Sequence, residues 1–214
     1  MYKKGIETKQ QIIDEAKRLF YVKGFKKATV NEICENCNVK LGTFTYYFKK
    51  KEDLLNNVYG SYMTDCYNYV KEKTQGLSGL DMHLYTIMLY YFNIYRDVHV
   101  ARFHKDVLLN GEMNYVFRTP RELIINFTEN GDIAVDSEVY ELMIIADNAM
   151  RREINLRFMK EDDFSLERVR DLVRNLYIVT GRLGHMDGDS INKGIDDAYE
   201  FVTQHLNAPV GLLQ

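Results

Sequence analysis

Apolar positions recur at helical spacing along most of the chain, and strand-like alternation is nowhere sustained. Ile12, Ile13, Ala16, Leu19 and Phe20 lie three and four apart among Lys, Gln, Asp and Glu. That spacing predicts an amphipathic helix over 7–24 with one buried face, closed by Gly24. Thr29 then precedes Val30 and Ile33, with Glu32 three positions on, the pattern of a capping box. A short helix from Val30 to about Asn36 follows. Cys37-Asn38-Val39 reads as a tight break, because asparagine tolerates the left-handed conformation such a turn needs. A second short helix is expected from about Lys40 to Phe48, and another opens near Glu52. Two short helices joined by a brief turn behind a longer support helix describe a helix-turn-helix, whose second helix enters the DNA major groove.

The same periodicity continues to the end. Leu54, Leu55, Val58, Tyr62, Tyr69 and Val70 predict a long helix from Glu52 to Lys73. Further helices are expected at Leu80 to Arg96, Val98–Asn110, Pro120–Asn130, Ser137–Lys160, Ser165–Leu183 and Ser190–Leu206. The fold class is therefore all-α: a three-helix head over residues 1–51 and a larger helical domain over 52–214. With two prolines in 214 residues, little interrupts such helices. Met82 to Tyr95 is the longest uncharged stretch worth testing for membrane insertion, but its 14 residues fall short of the roughly 20 a membrane span needs, so it reads as a buried helix. Three cysteines, an odd number, and no apolar leader predict a reducing, cytoplasmic setting.

Charge separates the two parts. Residues 1–51 carry 12 Lys/Arg against 5 Asp/Glu, a balance of +7, while 52–214 carry 16 against 26, or −10. A basic head on an acidic body suits a nucleic-acid-binding element joined to a regulatory one. Lysines that merely solvate a surface helix would give the same count.

The stretch from Gly24 to Ile33, GFKKATVNEI, followed by Val39 to Leu55, VKLGTFTYYFKKKEDLL, resembles the DNA-binding domain of the tetracycline-repressor (TetR) family. The match spans roughly residues 7–58; beyond it, length and helical character alone agree. Two positions depart from the family pattern: Lys40 stands where serine or threonine usually caps the recognition helix, and Asn38 where glycine is common. The resemblance implies a one-component transcriptional regulator, read as a repressor. It would bind a palindromic operator in double-stranded DNA as a homodimer and be released by a small-molecule effector.

Residue roles follow from chemistry and that resemblance together. Thr29, at a helix N-terminus, is expected on a phosphate, and Lys51 is the chief phosphate-binding lysine. Lys40, Leu41, Gly42 and Thr45 face the groove, where lysine meets guanine acceptors and Leu41 or the Thr45 methyl meets thymine. Thr43, Tyr46 and Tyr47 match positions that contact the DNA backbone or pack beside it. On packing grounds alone an aromatic such as Phe44 or Tyr46 reads as core; Phe44 and Phe48 are assigned there, and Tyr47 to DNA. In the body, Tyr62, Met63, Met88, Tyr91 and Tyr95 are expected to line an effector pocket. Glu153 is either a charge in that pocket or the partner of Arg157. Stripes containing Leu172, Leu176, Val179, Leu183, Ile195, Tyr199 and Val202 are assigned to a dimer interface, against the alternative that they close the body's own core.

Other classes stay open at this point. Cys34 and Cys37 form a C-x-x-C that a thiol- or metal-responsive regulator would use, although small buried residues suit those positions equally. A helical small-molecule carrier or enzyme is the third reading. No nucleophile, phosphate-loop or dinucleotide motif is present, so no cofactor, metal or catalytic residue is assigned.

Overall fold

The computed structural model describes residues 2–77, 79–110, 138–161, 163–183 and 187–214, and all regular structure among them is helical. In chain order the helices are α1 (Tyr2–Lys23), α2 (Val30–Asn36), α3 (Leu41–Tyr47), α4 (Asp53–Lys73), α5 (Gly79–Tyr95), α6 (Val98–Leu109), α7 (Glu138–Phe158), α8 (Leu166–Leu183) and α9 (Gly188–Gln204). The expected helix at Pro120–Asn130 lies outside the described residues. No helix among those described is long and apolar enough to cross a membrane.

Local chemistry explains most boundaries. Thr29 and Glu32 form the complete capping box that starts α2, and Asn38 adopts φ 52° in the turn after it. Gly24 ends α1 at φ 81°, a conformation glycine reaches without the steric cost of a Cβ. A Cβ there would also come within 2.6 Å of Asp106 Oδ2 on α6. Two starts differ from expectation. Helix α1 begins at Tyr2, five residues before the expected start at residue 7, and Ile6 in this added stretch is exposed. Asp187, not Ser190, caps α9, its carboxylate accepting from Ser190 N at 2.8 Å.

Helix α5 is the spine of the larger part, packed by α4, α6, α8 and α9. From Met82 to Tyr95 every side chain except Tyr85 is buried, which explains a run that is apolar on all sides yet too short to span a bilayer. The first three helices sit on this body through α1, which touches α4 and α6. At that joint Phe103 of α6 stacks on Phe20 of α1 at 5.1 Å and on Tyr59 of α4 at 5.9 Å, with Phe25 edge-on at 6.2 Å. Polar ties flank the rings. The Arg102 guanidinium donates to the Tyr21 and Val22 carbonyls at 2.7 and 2.9 Å, occupying acceptors that the end of α1 leaves open. Tyr21 donates to Asp97 at 3.1 Å.

After α9 the chain runs back across the molecule. Ala208, Val210, Leu212 and Leu213 are buried, and Arg96 donates to the Leu206 and Ala208 carbonyls. Lys17 of α1 then reaches the Gln214 carbonyl at 2.7 Å.

Candidate nucleic-acid interface

Helix α3 presents its outer face to solvent because its inner face is aromatic. Phe44 and Phe48 are buried with ring centroids 5.7 Å apart, and they anchor the helix on the core below. What remains outside is Lys40, Leu41, Gly42, Thr45 and Tyr46, all exposed, with Thr43 and Tyr47 half-buried beside them. Thr45 Oγ1 donates to the Gly42 carbonyl at 3.2 Å. Lys40 occupies the N-cap position without a side-chain cap. Leu41 is 53% exposed and Tyr46 82% exposed, so two large apolar surfaces stand free on a seven-residue helix. A shallow depression between α2 and α3 opens beside Lys40 and Leu41, with Val39 and Cys34 along it.

Tyr46 is a correction to the packing expectation: it is not core. The preceding and following side chains differ by about 100° in direction on a helix, and only Phe44 and Phe48 lie on the inner side. The structure also reassigns the threonine and lysine expected on phosphates. Thr29 Oγ1 accepts from Glu32 N at 3.2 Å and lies 3.1 Å from Glu32 Oε2, so the cap consumes this hydroxyl. Lys51 turns inward, its Nζ donating to the Phe25 and Ala28 carbonyls at 2.7 and 2.9 Å and lying 4.3 Å from the Phe25 ring centroid. Burial holds its pKa below the usual lysine range, partly offset by Glu52 and Asp106. Sequence reasoning missed the lysines that stay outside: Lys26, Lys27, Lys49 and Lys50 are all exposed.

The architecture of this head has direct counterparts. Residues 12–58 match the family model for bacterial regulatory proteins of the tetR family. This head is therefore similar to the DNA-binding part of the tetR family. Similar curated proteins include the uncharacterized HTH-type transcriptional regulator YerO of Bacillus subtilis, 37% identical over 73 residues, or 34% of this chain and 25% of that protein. The biofilm operon icaADBC HTH-type negative transcriptional regulator IcaR of Staphylococcus epidermidis is 24% identical over 148 residues, 64% of this chain and 78% of that protein. The aligned part thus covers about a quarter of the first of these relatives. Among solved structures, full-length TylP, a TetR regulator from Streptomyces fradiae, aligns with a TM-score of 0.52 at 17% identity, over 99% of this chain and 96% of that one. This likeness extends the agreement in fold to the body.

In this head both cysteines of the C-x-x-C are thiols. Cys34 is buried, and Cys37 Sγ donates to the Gln11 carbonyl at 3.4 Å. Burial pushes both thiols above their ordinary range, with Glu35 adding to Cys34 and Glu15 to Cys37, which disfavours the reactive thiolate.

Behind the head, the residues expected to line a pocket form a buried aromatic and polar cluster. Tyr62, Met63, Met88, Tyr91 and Tyr95 are all buried. Tyr62 donates to the Tyr90 carbonyl at 2.6 Å, and Tyr95 donates to Asn155 of α7. Asn155 in turn donates to the Arg151 carbonyl at 2.7 Å and to Tyr91 at 3.4 Å. Tyr59 pairs with His104 Nδ1 at 3.0 Å, and Tyr177 with His83 Nε2. Among the described residues, His104 Nε2 and both Asn93 amide atoms have no hydrogen-bond partner.

Glu153 is a second correction. It is exposed and lies 3.9 Å from Arg152 on the outside of α7, away from the cluster. The buried charge is instead Arg151, 8% exposed, whose Nε donates to Asp147 at 2.6 Å and whose guanidinium lies over Tyr177. Asp147 keeps a quarter of its side chain in solvent. Removing one member therefore has unequal consequences. Asp147→Leu strands the deeper charge and is expected to cost about 3 kcal/mol, whereas Arg151→Leu, leaving a carboxylate that reaches water, is expected to cost under about half of that. Urea unfolding of the two variants checks it, and equal losses would refute the asymmetry.

The dimer assignment needs the third correction. Leu172, Leu176, Ile195 and Val202 are buried within this one chain, because α9 packs on α5 and α8 and consumes both stripes. Tyr199 is half-buried and donates to Glu167 at 2.9 Å. Val179, 42% exposed, stays outside with Ile178 beside it, as do Leu142 and Ile145 on α7. The Leu183 side chain lies outside the described residues.

Proposed function

We propose that this protein is a one-component transcriptional regulator, acting as a repressor in the cytoplasm. Residues 1–51 bind an operator in double-stranded DNA, and residues 52–214 bind a small-molecule effector and hold the dimer. The observation that carries the reading is the exposed face of α3. Two apolar side chains, Leu41 and Tyr46, stand free beside uncapped Lys40, an arrangement that costs solubility in isolation and suits contact with base edges and thymine methyls. The negative regulator IcaR, similar over 64% of this chain, supports the repressor reading.

Dimerisation presents two recognition helices to the half-sites of a palindrome. The apolar side chains left exposed for it are Ile178 and Val179 on α8 and Leu142 and Ile145 on α7. The effector enters the cluster around Tyr62, Met63, Met88, Tyr91 and Tyr95, where His104 and Asn93 offer it hydrogen bonds. Effector binding shifts α6 and α4, and through the Phe103 stack the spacing of the two heads.

Binding to duplexes from the region upstream of its own gene tests the reading. The expected result is salt-dependent affinity well above that for unrelated DNA. Leu41→Ala and Tyr46→Ala are each expected to erase about 1–3 kcal/mol of that sequence preference while leaving thermal stability unchanged, since neither side chain packs in the core. Equal affinity for all duplexes, or a loss confined to stability, would sink it.

A further inference from the structure

Residues 205–214 leave α9 and run from the body to the head without regular structure of their own. Ala208, Val210 and Leu212 are buried at alternate positions, with Pro209 exposed between the first two, the period of an extended chain laid on a surface. Among the described residues, the backbone bonds within this segment are local turns, from Ala208 N to the His205 carbonyl at 3.0 Å and from Gln214 N to the Gly211 carbonyl at 3.3 Å. Its polar attachment to the rest of the chain falls to two cations. Arg96, just after α5, donates to the Leu206 and Ala208 carbonyls, and Lys17 of α1 donates to that of Gln214 at 2.7 Å. These attachments close a circuit. Asp97, next to Arg96, accepts from Tyr21 of α1 at 3.1 Å, and Lys17 lies one helical turn before Tyr21. The segment thus runs from the α5–α6 corner to the stretch of α1 that this corner already holds.

We propose that residues 205–214 are a releasable strap: seated, it fixes the head against the α5–α6 corner, and released, it lets the head turn about the Phe103 stack. Its consequence for DNA rests on the DNA-binding reading above; the strap itself does not. The seat on the head is loose. A cleft of about 310 Å³ is left between Leu213 and Gln214 on one side and Asp14, Lys17, Arg18 and Tyr21 on the other. Those four residues form one polar stripe of α1, spaced three and four apart beside the core stripe. A core contact is close-packed, with few voids larger than a water molecule, so this contact has a different character from the ring stack behind it. Segments held through exposed hydrogen bonds and little regular structure open at a lower free energy than the whole fold. A head free to turn must be ordered again when it engages DNA, which lowers affinity.

Amide hydrogen exchange of the free, full chain tests the strap, comparing the parent protein with Arg96→Met and Lys17→Met. Arg96 is exposed and Lys17 half-buried, so both variants fold. Each is expected to accelerate exchange across 206–214 and across 18–23 together by roughly tenfold, the effect of losing one hydrogen bond from a charged donor. Residues 84–95 keep the parent rate. The signature is that a cut at the body end loosens α1, and a cut at the head end loosens 206–208. Acceleration across 206–214 with 18–23 at the parent rate would make the segment a passive tail and overturn the strap. Unchanged rates in both segments, or equal acceleration throughout the chain, would overturn it as well. With duplexes from the region upstream of its own gene, Arg96→Met is expected to weaken binding about tenfold with the salt slope unaltered, because ordering is lost and no phosphate contact is. Unchanged affinity, or a changed slope, would overturn the link from strap to DNA. A parent protein that binds none of these duplexes would fail the DNA-binding reading, while exchange still decides the strap.

Discussion

Phe103→Ala is expected to lower the free energy of unfolding by about 3–5 kcal/mol, the range for removing a fully buried phenylalanine from a site that cannot collapse around the void. Phe103 is wholly inaccessible and makes ring contacts with Phe20, Phe25 and Tyr59. These rings come from three directions, α1, the turn after it and α4, so no single neighbour can move in without losing another contact. At this chain length the loss corresponds to a melting temperature lower by roughly 6–20 °C. Thermal and urea unfolding of the variant check it, and a loss below about 1 kcal/mol would show that the joint repacks freely. Because the same ring links head to body, DNA affinity is expected to fall further than stability alone dictates.

Lowering the pH from 7 to 5 is expected to destabilise the protein by at most about 4 kcal/mol through two buried histidines, each contributing up to about 1.9. Burial depresses the pKa of His83 to about 3, with Arg151 adding to the effect, and that of His104 likewise to about 3. Both imidazoles therefore remain neutral in the native state while the unfolded chain takes up two protons below about pH 6.5. The native advantage is complete above that unfolded value and is lost as pH falls towards 3. Carboxylates held low, such as Glu15 beside Arg18 and Glu32 beside Lys23, add a loss of the same sign further into acid. Urea midpoints at pH 7, 6 and 5 measure the slope, and His104→Gln is expected to halve it. Equal stability at pH 7 and 5 would refute the assignment.

What was legible in the sequence was local. The capping box at Thr29 and Glu32, the left-handed Asn38 and the Gly24 stop each depend on residues within a few positions, and each forms as read. The buried character of Met82 to Tyr95 was equally plain, since a helix apolar on every side must be surrounded. Long-range packing decided the rest. Nothing near Lys51 in sequence announces that the carbonyls of Phe25 and Ala28 lie within its reach, and a lysine at a helix start reads as a surface charge. Leu172 and Ile195 carry the same stripe whether a second subunit or α5 covers them, so periodicity alone could not choose. Arg151 rather than Glu153 is the charge within the body because the two steps between them turn a side chain by about 200° around the helix, and the inward side is fixed by Asn155 and Phe158 on the same face as Arg151.

The returning C-terminal segment sets an order of events during synthesis. The helices α1–α3 are built on short-range contacts and can form as soon as they leave the ribosome. Yet Lys17 meets its partner at Gln214 across a separation of 197 residues, and Leu212 and Leu213 reach their burial only then. A nascent chain therefore carries a folded but incompletely seated head until residues 208–214 emerge, which places completion of the head–body mount after synthesis of the body's helices.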